Sequence, residues 1–245
     1  MSYIISPPEE TALQAHLQKL RTQLHEDPEL SWQEHRTTRL VRRELEALCL
    51  EPVPLGLPTG TAALLRGALP GPTVGLRADL DALPITERTG AEFSSRVPGV
   101  MHACGHDIHM AALLGAARLL AARREQLAGN VLFLFQPAEE AATGAMQVLE
   151  QGLFRRVPVT GMLALHVWPG LAQGQLGIRS GAILSAVDSF EITVTGRGGH
   201  GSAPERACNP IPAGAALASA LTTLRANDLP QAEPAVTAVT RFRFC

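Results

Sequence analysis

Four side chains able to bind a transition metal crowd into Met101-His-Ala-Cys-Gly-His-Asp-Ile-His109: His102, Cys104, His106 and His109. Thiolate and imidazole suit Zn²⁺, and an added carboxylate shell also admits Mn²⁺, Co²⁺ or Ni²⁺. The spacing is not that of a zinc finger, and no CxxC pair occurs. A catalytic metal site is therefore expected ahead of a structural one, the alternative being a helix N-terminus with buried His and Cys. Gln136-Pro-Ala-Glu-Glu140 then sets two adjacent carboxylates directly after the apolar run Val131-Leu-Phe-Leu-Phe135. Such a pair is costly to bury unless a cation compensates. A chain leaving a strand can aim its side chains at different targets, one Glu at a metal and its neighbour at a proton. A solvated acidic turn is the competing reading. His166 ends another apolar run, Met162 to Val167, and Asp79 and Asp81 end a third. A carboxylate there suits the support of a metal-bound imidazole, accepting its free N–H, or else a turn or cap.

The elements that must position these residues follow from periodicity. Leu13, Leu17, Leu20 and Leu24 lie at helical spacing up to Pro28, and a second helical pattern runs from Glu34 to Leu48. Strands are expected at Thr61–Leu65, Thr73–Arg77, Val131–Phe135 and Met162–Val167, with helices at Asp107–Arg124 and Gly144–Gly152. Strands alternating with helices of this length predict an α/β domain with a largely parallel sheet, and in such sheets ligands gather beyond the strands' carboxyl ends. From about Val187 the texture changes. Phe190–Thr195 alternates with period two, a Gly-rich turn follows, and a helix at Ile211–Arg225 and a strand at Val236–Phe242 are expected. The division predicted is a catalytic domain over 1–185 and a smaller, incomplete domain over 186–245.

Length and composition narrow the partners. The chain has 245 residues, 46% of them hydrophobic, and a formal net charge of −2 with no run of Lys or Arg. Nothing in that balance provides an electrostatic footprint for nucleic acid or an anionic membrane. The longest mostly apolar stretch, Ala111 to Ala122, is too short to span a bilayer. The N-terminus lacks a basic segment followed by a long apolar core, and four scattered cysteines suit reduced thiols, so the expected location is the cytoplasm.

Taken together, Arg77-Ala-Asp-Leu-Asp-Ala-Leu-Pro84, Met101–Asp107, Gln136–Glu140, Leu165-His166 and Gly196-Arg-Gly-Gly-His-Gly-Ser-Ala-Pro204 resemble the M20 metallopeptidase superfamily. The match is to its amidohydrolase branch of hippurate, N-acyl-amino-acid and auxin-conjugate hydrolases, and Leu24-His-Glu-Asp-Pro-Glu-Leu30 adds to it. The resemblance implies a zinc-peptidase-like catalytic domain, with helices on both faces of a mixed, largely parallel sheet, and an incomplete ferredoxin-like α+β lid or dimerisation domain. It implies two divalent metals held by Cys104, His106, Glu140 and His166, with Cys104 a bridge between them. Glu139 would be the general base, Asp81 a supporting acid near the metals, and His200 a lid residue reaching a neighbouring subunit's site. The substrate implied is a small N-acylated amino acid or similar amide, cleaved by a homodimer.

The sequence also departs from the family pattern. The resemblance implies further chain that completes the lid and returns a last histidine to the second metal, which this sequence lacks. Glu205 stands where the family has His, and Asn209 where it has Asp. A second expectation therefore accompanies the enzyme: a catalytically defective fragment that keeps metal binding or dimerisation. A Cys104–His thiol hydrolase is the third, disfavoured because Cys104 sits among other metal ligands.

Overall fold

The computed structural model describes residues 6–184, 188–228 and 235–243. Its contacts cluster into two units, Met1–Gln175 and Leu176–Cys245. The boundary expected between 185 and 186 falls within 185–187, outside the described residues.

In the first unit, helix α1 (Pro7–Glu26) begins where the Ser6 amide and hydroxyl both donate to the Glu9 carboxylate, at 3.1 and 2.6 Å. Helix α2 (His35–Ala47) turns Thr37, Thr38, Leu40, Val41 and Leu45 inward, a stripe at three- and four-residue spacing. Five strands, β1 (Glu51–Val53), β2 (Thr61–Arg66), β3 (Leu69–Asp79), β4 (Ala128–Gln136) and β5 (Gly161–Ala164), form one mixed sheet in the order β1-β2-β4-β3-β5. β2 pairs antiparallel with β1 and β4, whereas β3 pairs parallel with both β4 and β5.

Strand β4 shows why the sheet is covered on both faces. Val131, Phe133 and Phe135 pack with Leu20, Leu24, Val41, Met110 and Leu114, residues of α1, α2 and α3 (His106–Ala121). The intervening Leu132 and Leu134 pack with Val53, Leu64, Val148 and Leu153 on the side of α4 (Gly144–Glu150) and α5 (Leu153–Arg156). Successive side chains of a strand point to opposite faces, so an unbroken apolar run is what a doubly covered strand requires.

The parallel register positions the site. Asp79 lies opposite Gln136, and Arg77 lies opposite both Leu134 and Ala164. The segments that follow, Leu80-Asp81, Pro137–Glu140 and Leu165-His166, therefore leave the sheet at one edge.

The second unit contains helix α6 (Pro210–Asp228), where a helix was expected. The two strands expected beside it are not formed among the described residues. Phe190–Thr195 and Val236–Phe242 are irregular, and the only pairing among the described residues of this unit is an isolated antiparallel bridge between Arg197 and Cys208. A period-two apolar pattern assigns a face, but a strand also needs a neighbour for its N–H and C=O groups. Without one, Phe190 and Ile192 remain exposed. Of the incomplete ferredoxin-like lid, the described residues thus hold the helix and not the two strands.

Candidate metal centre

Asp81, fully buried just beyond β3, organises the site. Its carboxylate accepts the Glu139 N–H at 3.0 Å, the Glu140 N–H at 2.9 Å and the Ser31 hydroxyl at 2.6 Å. Burial alone would raise this carboxyl, but His106, Ser31 and the two amides hold it below the usual carboxylate range. The carboxylate does not fix an imidazole tautomer, as the sequence had suggested. The main-chain carbonyl of Asp81 does so, accepting from His106 Nδ1 at 2.8 Å, while the nearest carboxylate oxygen stands 3.6 Å from that nitrogen.

With Nδ1 donating, His106 turns Nε2 toward three carboxylates. Asp79 Oδ2 lies at 3.6 Å, Glu139 Oε2 at 3.7 Å and Glu140 Oε1 at 3.8 Å, all too long for hydrogen bonds. Such a grouping calls for positive charge, either a proton on the ring or a cation between the groups. Burial opposes the proton, but Asp81, Asp79 and Glu140 together raise the His106 pKa. The Glu139 carboxyl is raised too, chiefly by burial, with Asp79 and Glu140 adding to it while His106 opposes.

Among the described residues, two sets of ligand atoms lie within 4.8 Å of one another: Cys104, His106 and Glu140, and Asp79, His106 and His109. Their hydrogen bonds separate them. His109 Nδ1 donates to Asp79 Oδ1 at 2.7 Å, its Nε2 accepts the Val167 N–H at 3.0 Å, and Arg77 donates to Asp79 Oδ2 at 2.8 Å. A metal there would displace bonds already made. Although burial opposes its charge, His109, His106 and Arg77 hold the Asp79 carboxyl at about 2. In the first set, by contrast, Glu140 Oε1 is buried without a hydrogen-bond partner, an acceptor that a cation would satisfy. Nitrogen and oxygen ligands about 2.0–2.2 Å from a tetrahedral metal stand about 3.3–3.5 Å apart, and the His106–Glu140 separation of 3.8 Å would need only a small inward movement to reach that span.

Cys104 belongs to this set on chemical grounds as well. Burial and the carboxylates of Glu140, Glu139 and Asp79 push its thiol up to about 12. That is the reverse of what a nucleophilic thiolate needs, so the thiol hydrolase falls away. A coordinated metal would instead deprotonate it. Gly105 joins Cys104 to α3 at φ +77, and a Cβ there would come within 2.6 Å of Val167. The turn that brings Cys104 and His106 together therefore requires glycine.

The remaining histidines are placed differently. His166 is exposed; its Nδ1 donates to the Val167 carbonyl at 2.8 Å, and its ring lies edge-on to His109 with centroids 4.7 Å apart. It is not among the atoms grouped within 4.8 Å. His102 is buried with both ring nitrogens unpartnered, and desolvation pushes it down to about 4. His200 lies in the second unit, in an exposed turn, with Nδ1 2.8 Å from Ser202 Oγ.

Residues 75–245 match the model of peptidase family M20/M25/M40. The chain belongs to this family. A curated member, the N-acetylcysteine deacetylase of Bacillus subtilis (strain 168), is 42% identical over 231 residues, which are 94% of this chain and 60% of that protein. Among solved structures, a putative aminohydrolase from methicillin-resistant Staphylococcus aureus matches with a TM-score of 0.75 at 33% identity, over 91% of this chain and 60% of the other. A dinuclear metal-binding M20 peptidase of Bacillus subtilis matches with a TM-score of 0.64 at 47% identity, over 66% of this chain and 45% of its own. The chain thus spans about 60% of the length of the curated M20 relative.

Two members of this M20 site escaped sequence reasoning, Ser31 and Glu34. Both lie in the connection between α1 and α2, and both reach the Pro137–Glu140 segment or its anchor. The available signal was an acid preceding a helix whose inward face begins with Thr37 and Thr38.

Proposed function

We propose that this chain forms the metal-binding part of a metal-dependent amidohydrolase that cleaves small N-acylated amino acids. The observation that carries this reading is the meeting of Cys104, His106 and Glu140, with Glu140 Oε1 buried and unpaired. Kinship with an N-acetylcysteine deacetylase supports the substrate class. Cys104, His106, Glu140 and His166 would hold two divalent metals, drawn from Zn, Mn, Co or Ni. When bound, the metals supply polarisation of the amide carbonyl and acidification of water. Glu139, whose Oε2 stands 3.7 Å from His106 Nε2 beside the ligand set, takes the proton from the attacking water and returns it to the leaving amine. Asp81 keeps Glu139 and Glu140 in place through their amides. His200, from a partner's lid in a homodimer, stabilises the developing oxyanion. Three free cysteines among the described residues agree with a reducing, cytoplasmic setting. The domains that do this work are 1–185 and 186–245.

The test is hydrolysis of N-acetyl amino acids and hippurate by the purified chain, with metal content measured in parallel. Metal binding together with turnover lost on chelation is the expected outcome. For the shared site, His200→Ala and Glu139→Gln, each inactive alone, should regain part of the activity when mixed and refolded together. No recovery in verified heterodimers would count against His200 in that role. A second reading, a metal-binding or dimerising module without turnover, is favoured by the exposed apolar side chains of Leu163, Leu165 and Trp168 beside β5. Metal binding with no hydrolysis would select it.

A further inference from the structure

Ala138, Glu139 and Glu140 present three consecutive backbone N–H groups, and a buried carboxylate takes each one. Asp81 takes the last two, as described, and Glu34 Oε1 accepts the Ala138 N–H at 2.8 Å. Glu34 Oε2 accepts the Thr59 hydroxyl at 2.7 Å, so both its oxygens are used. Glu34 and Ala138 are each 0% exposed. Ala138 has φ +50, a left-handed conformation that a residue with a Cβ rarely adopts unless its surroundings impose it. The same connection between α1 and α2 supplies two further contacts. Ser31 bonds Asp81, and Trp32, itself at φ +66, donates from Nε1 to Thr143 Oγ1 at 3.1 Å.

A buried carboxylate is costly to keep, and the two bonds of the Glu34 carboxylate come from Thr59 and Ala138, neither of them a metal ligand. Its bonds go to the backbone turn from which Glu139 and Glu140 depart. Returning Ala138 to a right-handed conformation would redirect both side chains that follow it. We propose that Glu34 is a positioning residue, which holds the left-handed turn at Ala138 and so sets the direction in which Glu139 and Glu140 leave the loop. The proposal rests on the reading of Glu140 as a metal ligand for its functional consequence, and on the hydrogen bonds alone for its structural one.

The test compares Glu34→Ala and Glu34→Gln in the 245-residue chain by two measurements. One is amide hydrogen exchange at residues 138–140 in the metal-free protein, and the other is Zn²⁺ affinity by titration calorimetry. Glu34→Ala should speed exchange at least about 10-fold at these amides and weaken Zn²⁺ binding roughly 10–100-fold, the usual cost of losing a group that orients a ligand. Glu34→Gln retains an oxygen for the Ala138 N–H and an amide that can donate to the Thr59 hydroxyl, and should stay within about 3-fold of the parent. If Glu34→Ala does not fold, Glu34→Leu, which fills the volume without an acceptor, takes its place with the same expectation. Unchanged exchange in Glu34→Ala would overturn the proposal. So would equal losses in Glu34→Ala and Glu34→Gln, which indicate a general packing role. A parent chain that binds no Zn²⁺ would overturn the metal reading instead, and the exchange measurement would still decide the role of Glu34.

Discussion

Strands β4 and β5 belong to one sheet and each precedes a proposed metal ligand, Glu140 after the first and His166 after the second, yet their surroundings differ. β4 lies between β2 and β3, and its Leu132, Phe133 and Phe135 are wholly buried. The loop that follows it is pinned at three consecutive amides. β5 pairs with β3 alone over four residues, and all four are exposed. The His166 ring bonds only to its neighbour's carbonyl. A strand's sequence sets where a ligand leaves the sheet, and its lateral neighbours set how firmly that ligand is held.

The widest gap between the two strands should appear in stability. Phe133→Ala removes a fully buried ring from the main core and should cost about 3–5 kcal/mol, whereas Leu163→Ala on exposed β5 should stay within about 0.5 kcal/mol. Urea unfolding of both variants checks this. Comparable losses would mean that β5 is enclosed in solution and that the contrast does not hold.

Metal binding should repeat the contrast on a smaller scale. Glu140→Gln removes a ligand from a braced loop and should weaken Zn²⁺ binding by roughly 100-fold or more. His166→Ala removes an exposed ring with little support and should cost roughly 10-fold. Glu139→Gln should leave affinity near that of the parent while abolishing hydrolysis. Titration calorimetry beside an activity assay separates these roles, and metal loss in Glu139→Gln with retention in Glu140→Gln would reverse the two glutamates.

Much of the first unit was legible because its signals are local. The run Val131–Phe135 identified a strand, and the helical pattern from Glu34 to Leu48 identified α2. β1, three residues inside a Pro-rich turn, and the four-residue α5 carry too little periodicity to be recognised. Phe190–Thr195 had the correct alternation and no strand resulted, because pairing is not a property of one segment. At the site, spacing alone could not rank His102, His106 and His109. The distinction depends on which ring nitrogen remains free, and distant groups decide that: the Asp81 carbonyl for His106, and Asp79 with the Val167 amide for His109. Glu34 was invisible for the same reason, since its partners Thr59 and Ala138 lie 25 and 104 residues away.

The smallest expected effect concerns the brace behind β4 and has no counterpart behind β5. Burial raises the pKa of Glu34 above its ordinary value of 4.5, against the lowering effect of its bonds from Thr59 and Ala138. Between its unfolded and folded pKa values the folded chain therefore binds more protons than the unfolded one. Linkage then makes wild-type stability decline as pH rises through that window, beginning near 4.5 and levelling off above the folded value. Glu34→Gln carries no titrating proton, so the Glu34 part of this decline disappears. The stability of Glu34→Gln relative to the parent should accordingly improve as pH rises from 4 toward 7, even though its loop is held no better. Urea midpoints of the two proteins across that range measure the difference directly. A flat difference would show that Glu34 ionises as readily in the folded chain as in the unfolded one, and one that falls with rising pH would mean that the bonds from Thr59 and Ala138 outweigh the cost of burial.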